Sequence, residues 1–251
     1  MFVCRYFSAA VLAVAALCSA KVAAQQAAHQ GFLYGVGIGV NQEIYNDFSS
    51  RTIPLPILGY QGERLSVYGP FISYKLLELE NISFSAKLAP RFAGFDGSDS
   101  PVFTNMAERK DSLDGGLGVQ LRQRGWLLEA DTVFDLLGNS NGSESKLTVS
   151  YSYLATVVII EPKLSVSYFD TKLVNYYYGV RPEEVTAQRP AYKADGSVNY
   201  NAGFSLSTPL FFDGMTKLGL EHHWYGNSVS NSPLTDRNRG WSASLYWFTL
   251  F

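Results

Sequence analysis

The chain has 251 residues, a formal net charge of −2, 14% aromatic residues and 17% charged ones. No run of basic side chains offers a footprint for nucleic acid, so that class of partner is excluded. Both cysteines, Cys4 and Cys18, fall within the first 24 residues, which leaves the rest without a disulfide, a thiolate nucleophile or a cysteine metal site.

Residues 1–24 carry an early positive charge at Arg5, an apolar core from Phe7 to Cys18, and the small residues Val22 and Ala24 before Gln25. This is the pattern of a cleaved secretory signal, and Leu17 ahead of Cys18 argues against a lipoprotein site. Cleavage after Ala24 leaves residues 25–251 as one domain, with 18 basic and 22 acidic side chains and a charge of about −4. After the signal the longest apolar stretch, Leu154 to Ile160, spans seven residues. That falls far short of the ~20 a membrane helix needs.

From Gly31 onward the chain alternates with the period of a β-strand. Phe32, Tyr34, Val36, Ile38 and Val40 share one face of the first strand, while Gly35, Gly37 and Gly39 share the other. Ile53–Gln61 and Leu65–Lys75 read as strands around a turn at Gly62, with Pro54, Pro56 and Pro70 weakening both. Ile82, Phe84, Ala86 and Leu88 oppose Ser83, Ser85, Lys87 and Arg91. A hairpin comes next, with Leu113 to Arg122 and Trp126 to Asp135 meeting at Arg124-Gly125. The alternation returns at Leu147–Tyr153, Leu164–Tyr168, Tyr200–Leu206 and Leu218–Trp224, separated by polar loops and by a long non-repeating segment from Asp170 to Gly196.

The last stretch places Trp241, Ala243, Leu245, Trp247, Thr249 and Phe251 on one face and Ser242, Ser244 and Tyr246 on the other. A greasy face beginning and ending on aromatics suits a strand that crosses both lipid–water interfaces. Trp247 and the terminal Phe251 are candidates for a C-terminal assembly signal read by the barrel-assembly machinery. The expected fold is therefore all-β, a transmembrane antiparallel up-and-down barrel in outer-membrane lipid. Eleven segments can be counted, whereas a single-chain bacterial barrel needs an even number. The doubtful Ile53–Lys75 region is the expected source of the error, which favours about 12 strands, with 10 as the alternative.

Several groups invite chemistry. Glu129, Asp131 and Asp135 face inward beside strands carrying Lys87, Arg91, Arg122 and Lys146, which suggests either a selective constriction or an ion-pair network filling the lumen. In Glu221-His222-His223 only Glu221 and His223 share a face, too few ligands for a metal site. Asp96, Asp99 and Ser100 lack the ligand spacing of a calcium loop and read as solvated acids. Tyr176, Tyr177, Tyr178 and Arg181 are either a rim anchor or a loop recognition surface. No Gly-x-Ser-x-Gly or His-Glu-x-x-His pattern supports an enzyme, and no cofactor is expected.

At Tyr176-Tyr-Tyr-Gly-Val-Arg-Pro-Glu-Glu184, Arg189-Pro-Ala-Tyr192 and Asn231-Ser-Pro-Leu-Thr-Asp-Arg237 the sequence resembles the MltA-interacting protein family, MipA/OmpV. Asp99-Ser-Pro101 and Glu108-Arg-Lys-Asp111 look like loops of the same family. The resemblance implies an outer-membrane barrel and a non-enzymatic scaffold linking a lytic transglycosylase to a penicillin-binding synthase in peptidoglycan growth. A narrow solute channel and a surface adhesin are the alternatives.

Overall fold

The computed structural model describes residues 30–251, so the signal read at residues 1–24 lies outside the described residues. Thirteen strand segments succeed one another: β1 (Gly31–Gln42), β2 (Ser50–Gln61), β3 (Leu65–Tyr68), β4 (Phe71–Leu79), β5 (Ile82–Arg91), β6 (Ser112–Gln123), β7 (Trp126–Asp135), β8 (Ser143–Tyr151), β9 (Tyr153–Ala155), β10 (Val158–Phe169), β11 (Ser197–Phe211), β12 (Gly214–Trp224) and β13 (Arg239–Leu250). Each pairs antiparallel with its neighbour, and β13 returns to β1 from Leu33↔Leu250 to Asn41↔Ser242, which closes the sheet. β8 and β9 both pair β10 and are one strand interrupted at Ser152, so the closed barrel has twelve strands.

The even count removes the ten-stranded alternative and locates the miscount. Leu65–Lys75 is not one strand but two, because the chain turns at Gly69-Pro70, where Gly69 takes φ +58° and Tyr68 pairs Phe71. Alternation survives that turn, so periodicity alone reads straight through it.

Closure abolishes free edges along most of the wall, and the register makes the exterior greasy. Val36 pairs Trp247 on one side and Pro56 on the other, so the outward faces of three strands merge into one apolar surface. Inward, Gly37 sits under the Tyr246 ring, which a Cβ would meet at 2.4 Å. At the end where the chain enters and leaves, turns are tight. Arg124-Gly125 (φ 49° and 88°) and Phe212-Asp213 (53° and 51°) have the paired positive φ of two-residue hairpin turns. Trp247 Nε1–H donates to the Phe211 carbonyl at 3.1 Å there, and the Phe251 ring packs on Phe32 and Tyr34.

The connections at the other end are long, and they fold together as a cap. Tyr45, Phe95, Phe103, Val180 and Leu234, from four different connections, form one buried cluster, with Phe95 and Phe103 stacked at 3.9 Å. The segment from Asp170 to Gly196, which shows no strand period, contains helix α1 (Thr171–Tyr178). Asp170 caps it by accepting the Leu173 N–H at 2.8 Å, and Leu173, Val174 and Tyr177 bury its inner face. A single turn, α2 (Asn227–Ser230), buries Val229 beside Ile44 and Val174.

Candidate functional site

Two places concentrate charge away from bulk water, the lumen and the cap. The lumen is built by the strand alternation: Ser85, Gly118, Asp131 and Lys146 stand side by side across β5 to β8, with Lys87 two residues along β5 from Ser85 on the same face. Lys87 Nζ bridges Glu129 and Asp131. A Cβ at Gly118 would meet Asp131 Oδ1 at 2.2 Å, so this glycine leaves the room that lets the lysine in.

The other expected members separate from this trio. Arg91 donates to Asp114 at 2.7 Å and to Glu144 at 2.8 Å, forming a second group nearer the cap. Lys146 lies 4.0 Å from Glu221, whose closer partner is Lys163. Asp135 caps the β7–β8 turn, accepting from the backbone N–H groups of Leu137 (2.9 Å), Gly138 (3.2 Å) and Asn141 (3.0 Å). Arg122 lines the opposite mouth, a cavity of about 960 Å³ shared with Arg64, Lys75, Glu78 and Gln120. The single predicted cluster is therefore three ion groups, a turn cap and a mouth residue.

His223 faces the lumen as the alternation requires, and both ring nitrogens are engaged. Nδ1 lies 2.7 Å from Asn201 Oδ1 and Nε2 lies 3.0 Å from Ser242 Oγ. In the 94–110 loop Asp96 Oδ1 accepts from the Ser98 N–H at 2.7 Å, an Asx turn, and Ser100 is buried with its hydroxyl donating to the Asn46 carbonyl at 2.6 Å.

The cap holds the most enclosed pair. Arg109 and Glu184 have side-chain exposures of 0% and 2% and join as a fork, Nη1 to Oε1 at 2.9 Å and Nη2 to Oε2 at 2.7 Å. Arg109 Nε also donates to the Tyr176 carbonyl at 2.7 Å. Glu184 accepts the N–H groups of Ala107 at 3.1 Å and Arg181 at 3.0 Å. Burial pushes the Glu184 carboxyl up, but Arg109 and the two amides outweigh it and hold the group below 4.5. Arg189 fastens the same corner, its guanidinium donating to the carbonyls of Glu184, Val102 and Thr104.

Of the expected loop recognition residues, Arg181 is exposed, Tyr176 and Tyr178 are half-buried, and Tyr177 is buried. Tyr177 donates to the Lys110 carbonyl at 3.2 Å, and the Lys110 N–H donates to the Tyr176 hydroxyl oxygen at 2.8 Å. Arg109 and, far from it in sequence, Tyr176, Glu184 and Arg189 therefore form one joint.

A family model described as MltA-interacting protein MipA matches residues 34–247. OmpV of Vibrio cholerae is 24% identical over 73% of this chain and 72% of its own length. The MltA-interacting protein of Escherichia coli K12 is 24% identical over 82% of this chain and 85% of its own. Omp26La, an outer membrane protein of Vibrio anguillarum, is 24% identical over 85% and 84%. Among solved structures, an outer membrane channel from Pseudomonas putida F1 aligns with a TM-score of 0.44 at 10% identity, covering 88% of this chain and 96% of that one. With the closed barrel and its apolar exterior, these relatives place the chain in the outer membrane.

Proposed function

Because the chain belongs to the MltA-interacting protein family, we propose that this outer-membrane barrel is a non-enzymatic binding scaffold for peptidoglycan-remodelling enzymes, a lytic transglycosylase and a penicillin-binding synthase. The observation that carries the reading is the match over residues 34–247, together with the Escherichia coli relative whose name records a MltA interaction. Family and fold are those of outer-membrane barrel proteins rather than of enzymes. The long connections of such barrels face outward and the short turns face the periplasm, where peptidoglycan lies. The docking face is then the mouth lined by Arg64, Lys75, Glu78 and Arg122 and rimmed by the tight turns. Trp247 and Phe251, in the aromatic rim at the same end, are the residues offered to the barrel-assembly machinery.

A tagged pull-down from gently solubilised envelopes, measured against an unrelated barrel of similar size, tests the scaffold. Specific enrichment of a lytic transglycosylase or a penicillin-binding synthase is expected, with loss of that enrichment in Arg64→Glu/Arg122→Glu. Recovery no greater than the control refutes the reading.

The charged lumen favours a second reading, a narrow channel for small solutes in which Lys87, Glu129 and Asp131 form the constriction. Single-channel conductance then changes in Asp131→Ala and Arg122→Ala; unchanged conductance counts against it.

A further inference from the structure

The connection between β12 and β13, residues 225–238, is fastened to the rest of the cap. Val229 and Leu234 are fully buried, the Tyr225 N–H donates to the Asn238 carbonyl at 2.9 Å, and the Asp236 N–H donates to the Ile44 carbonyl at 3.1 Å. The Thr235 hydroxyl donates to the Ser232 carbonyl at 3.0 Å, which tightens the turn between them. Side chains on this connection project from a fixed frame, so a ligand that meets them pays little for ordering the chain.

Arg237 and Arg239 stand where that frame joins the lipid-facing wall. Arg239 pairs Trp224 across the sheet and is two residues from Trp241 along β13. Trp224 and Trp241, 42% and 43% exposed, share the outward face with Leu220 and Leu245. Strand alternation puts Arg239 on the same outward face. Tryptophan there marks the level at which hydrocarbon gives way to headgroups, and the long connections of such barrels face outward. Arg239 therefore lies at headgroup height in the outer leaflet.

The two guanidiniums are poorly neutralised. In the lumen and the cap, Lys87, Arg91, Arg109 and Lys163 each meet a carboxylate closely. Among the described residues Arg239 has no such partner, and Arg237 has its sequence neighbour Asp236 at 3.5 Å, both exposed. An exposed pair of this kind is weak and yields readily to a better anion.

The same residues wall a hollow of about 700 Å³, together with Gln42, Asn227, Asn231 and Asn238. No side chain lining it is apolar. A neighbouring hollow of about 430 Å³ shares Asn227 and Asn231, so the trough has room for more than one sugar ring. Carboxamides present both donors and acceptors, as sugar hydroxyls require, and a guanidinium matches a phosphate bidentately. The anions that stand at headgroup height in a bilayer are lipid phosphates.

We propose that this trough binds a phosphorylated glycolipid of the outer leaflet, with Arg237 and Arg239 on a phosphate, the carboxamides on the sugar, and the acyl chains in the bilayer beside Trp224 and Trp241. The site lies at the end of the barrel opposite the mouth assigned to the peptidoglycan enzymes and does not depend on them. The probe is diphosphoryl lipid A, added to the full folded barrel in neutral detergent and followed by native mass spectrometry. Retention of lipid A is expected in the wild type, with affinity lower by about tenfold or more in Arg237→Gln/Arg239→Gln, the scale of losing charge-assisted contacts. A similar loss is expected when both phosphates are removed from the lipid. Arg124→Gln, in a tight turn at the opposite end, should leave the affinity unchanged. Equal affinity in the double variant, or for the dephosphorylated lipid, overturns the proposal. So does displacement of lipid A by an equal concentration of glucosamine 6-phosphate, because the site then takes a soluble sugar phosphate and not a lipid. Heat-modifiable migration of each variant before the measurement selects the folded barrel, so a loss reports the trough and not the folding.

Discussion

The lumen and the cap both take charge out of bulk water, and they do so on different terms. In the lumen every group is shared. Lys87 serves two carboxylates, Arg91 serves Asp114 and Glu144, and the members of the Lys87 trio keep side-chain exposures of 18 to 23%. In the cap the pairing is exclusive: Arg109 and Glu184 have lost solvent and have only each other to neutralise them. A shared network tolerates the loss of one member because the remaining partner and water take over. An exclusive buried pair does not, because the survivor is left as a bare charge in a low dielectric.

The largest expected effect comes from that contrast. Glu184→Ala strands the Arg109 guanidinium and costs the cap ~3–5 kcal/mol, read as faster amide exchange across residues 99–111 and 176–189 while the barrel keeps its heat-modifiable migration. Acidification probes the same carboxylate more gently. Its pKa is depressed in the folded state, so its stabilisation is present above 4.5 and is lost as pH falls through the lower folded value. Protection factors in the cap, which correct for the slower intrinsic amide exchange in acid, should fall on acidification below 4.5 in the wild type and fall less in Glu184→Gln.

Smaller effects sharpen the comparison. Asp170→Ala removes the cap of α1 and should cost about 1 kcal/mol, visible as fraying at Leu173 in the same exchange experiment. Glu129→Gln leaves Lys87 paired to Asp131 and should cost less than about 1 kcal/mol in urea unfolding from vesicles. If Glu129→Gln proves as costly as Glu184→Ala, the distinction between shared and exclusive pairing fails.

The alternation of small and large, polar and apolar residues made the barrel and the inward side of each charged residue legible. Where the wall faces lipid on one side and a polar lumen on the other, every strand repeats the same physical demand. The sequence was silent where that demand lapses. The upper half of β8, Ser143-Glu-Ser-Lys146, has no greasy face, so Glu144 gave no sign of meeting Arg91. The strand read at Leu164–Tyr168 begins earlier, at Val158, and Pro162 masked that first half, which carries Lys163 to Glu221. Pro54 and Pro56 weakened the reading of β2, yet they are tolerated because their missing N–H groups point where no strand lies. The cap was beyond reach for another reason: Arg109 meets Glu184 75 residues away, a pairing decided by tertiary folding and not by any local period.

The seam between β1 and β13 has a kinetic meaning. Every other strand of the barrel can pair with its chain neighbour as soon as both have been delivered, at the entropic cost of only the connection between them. Gly31–Gln42 must wait for Arg239–Leu250, the most distant pairing in the fold, and until it arrives both carry open edges. Ring closure is therefore the pairing with the largest loop to close, and the aromatic contacts of Phe251 with Phe32 and Tyr34 lie at its end.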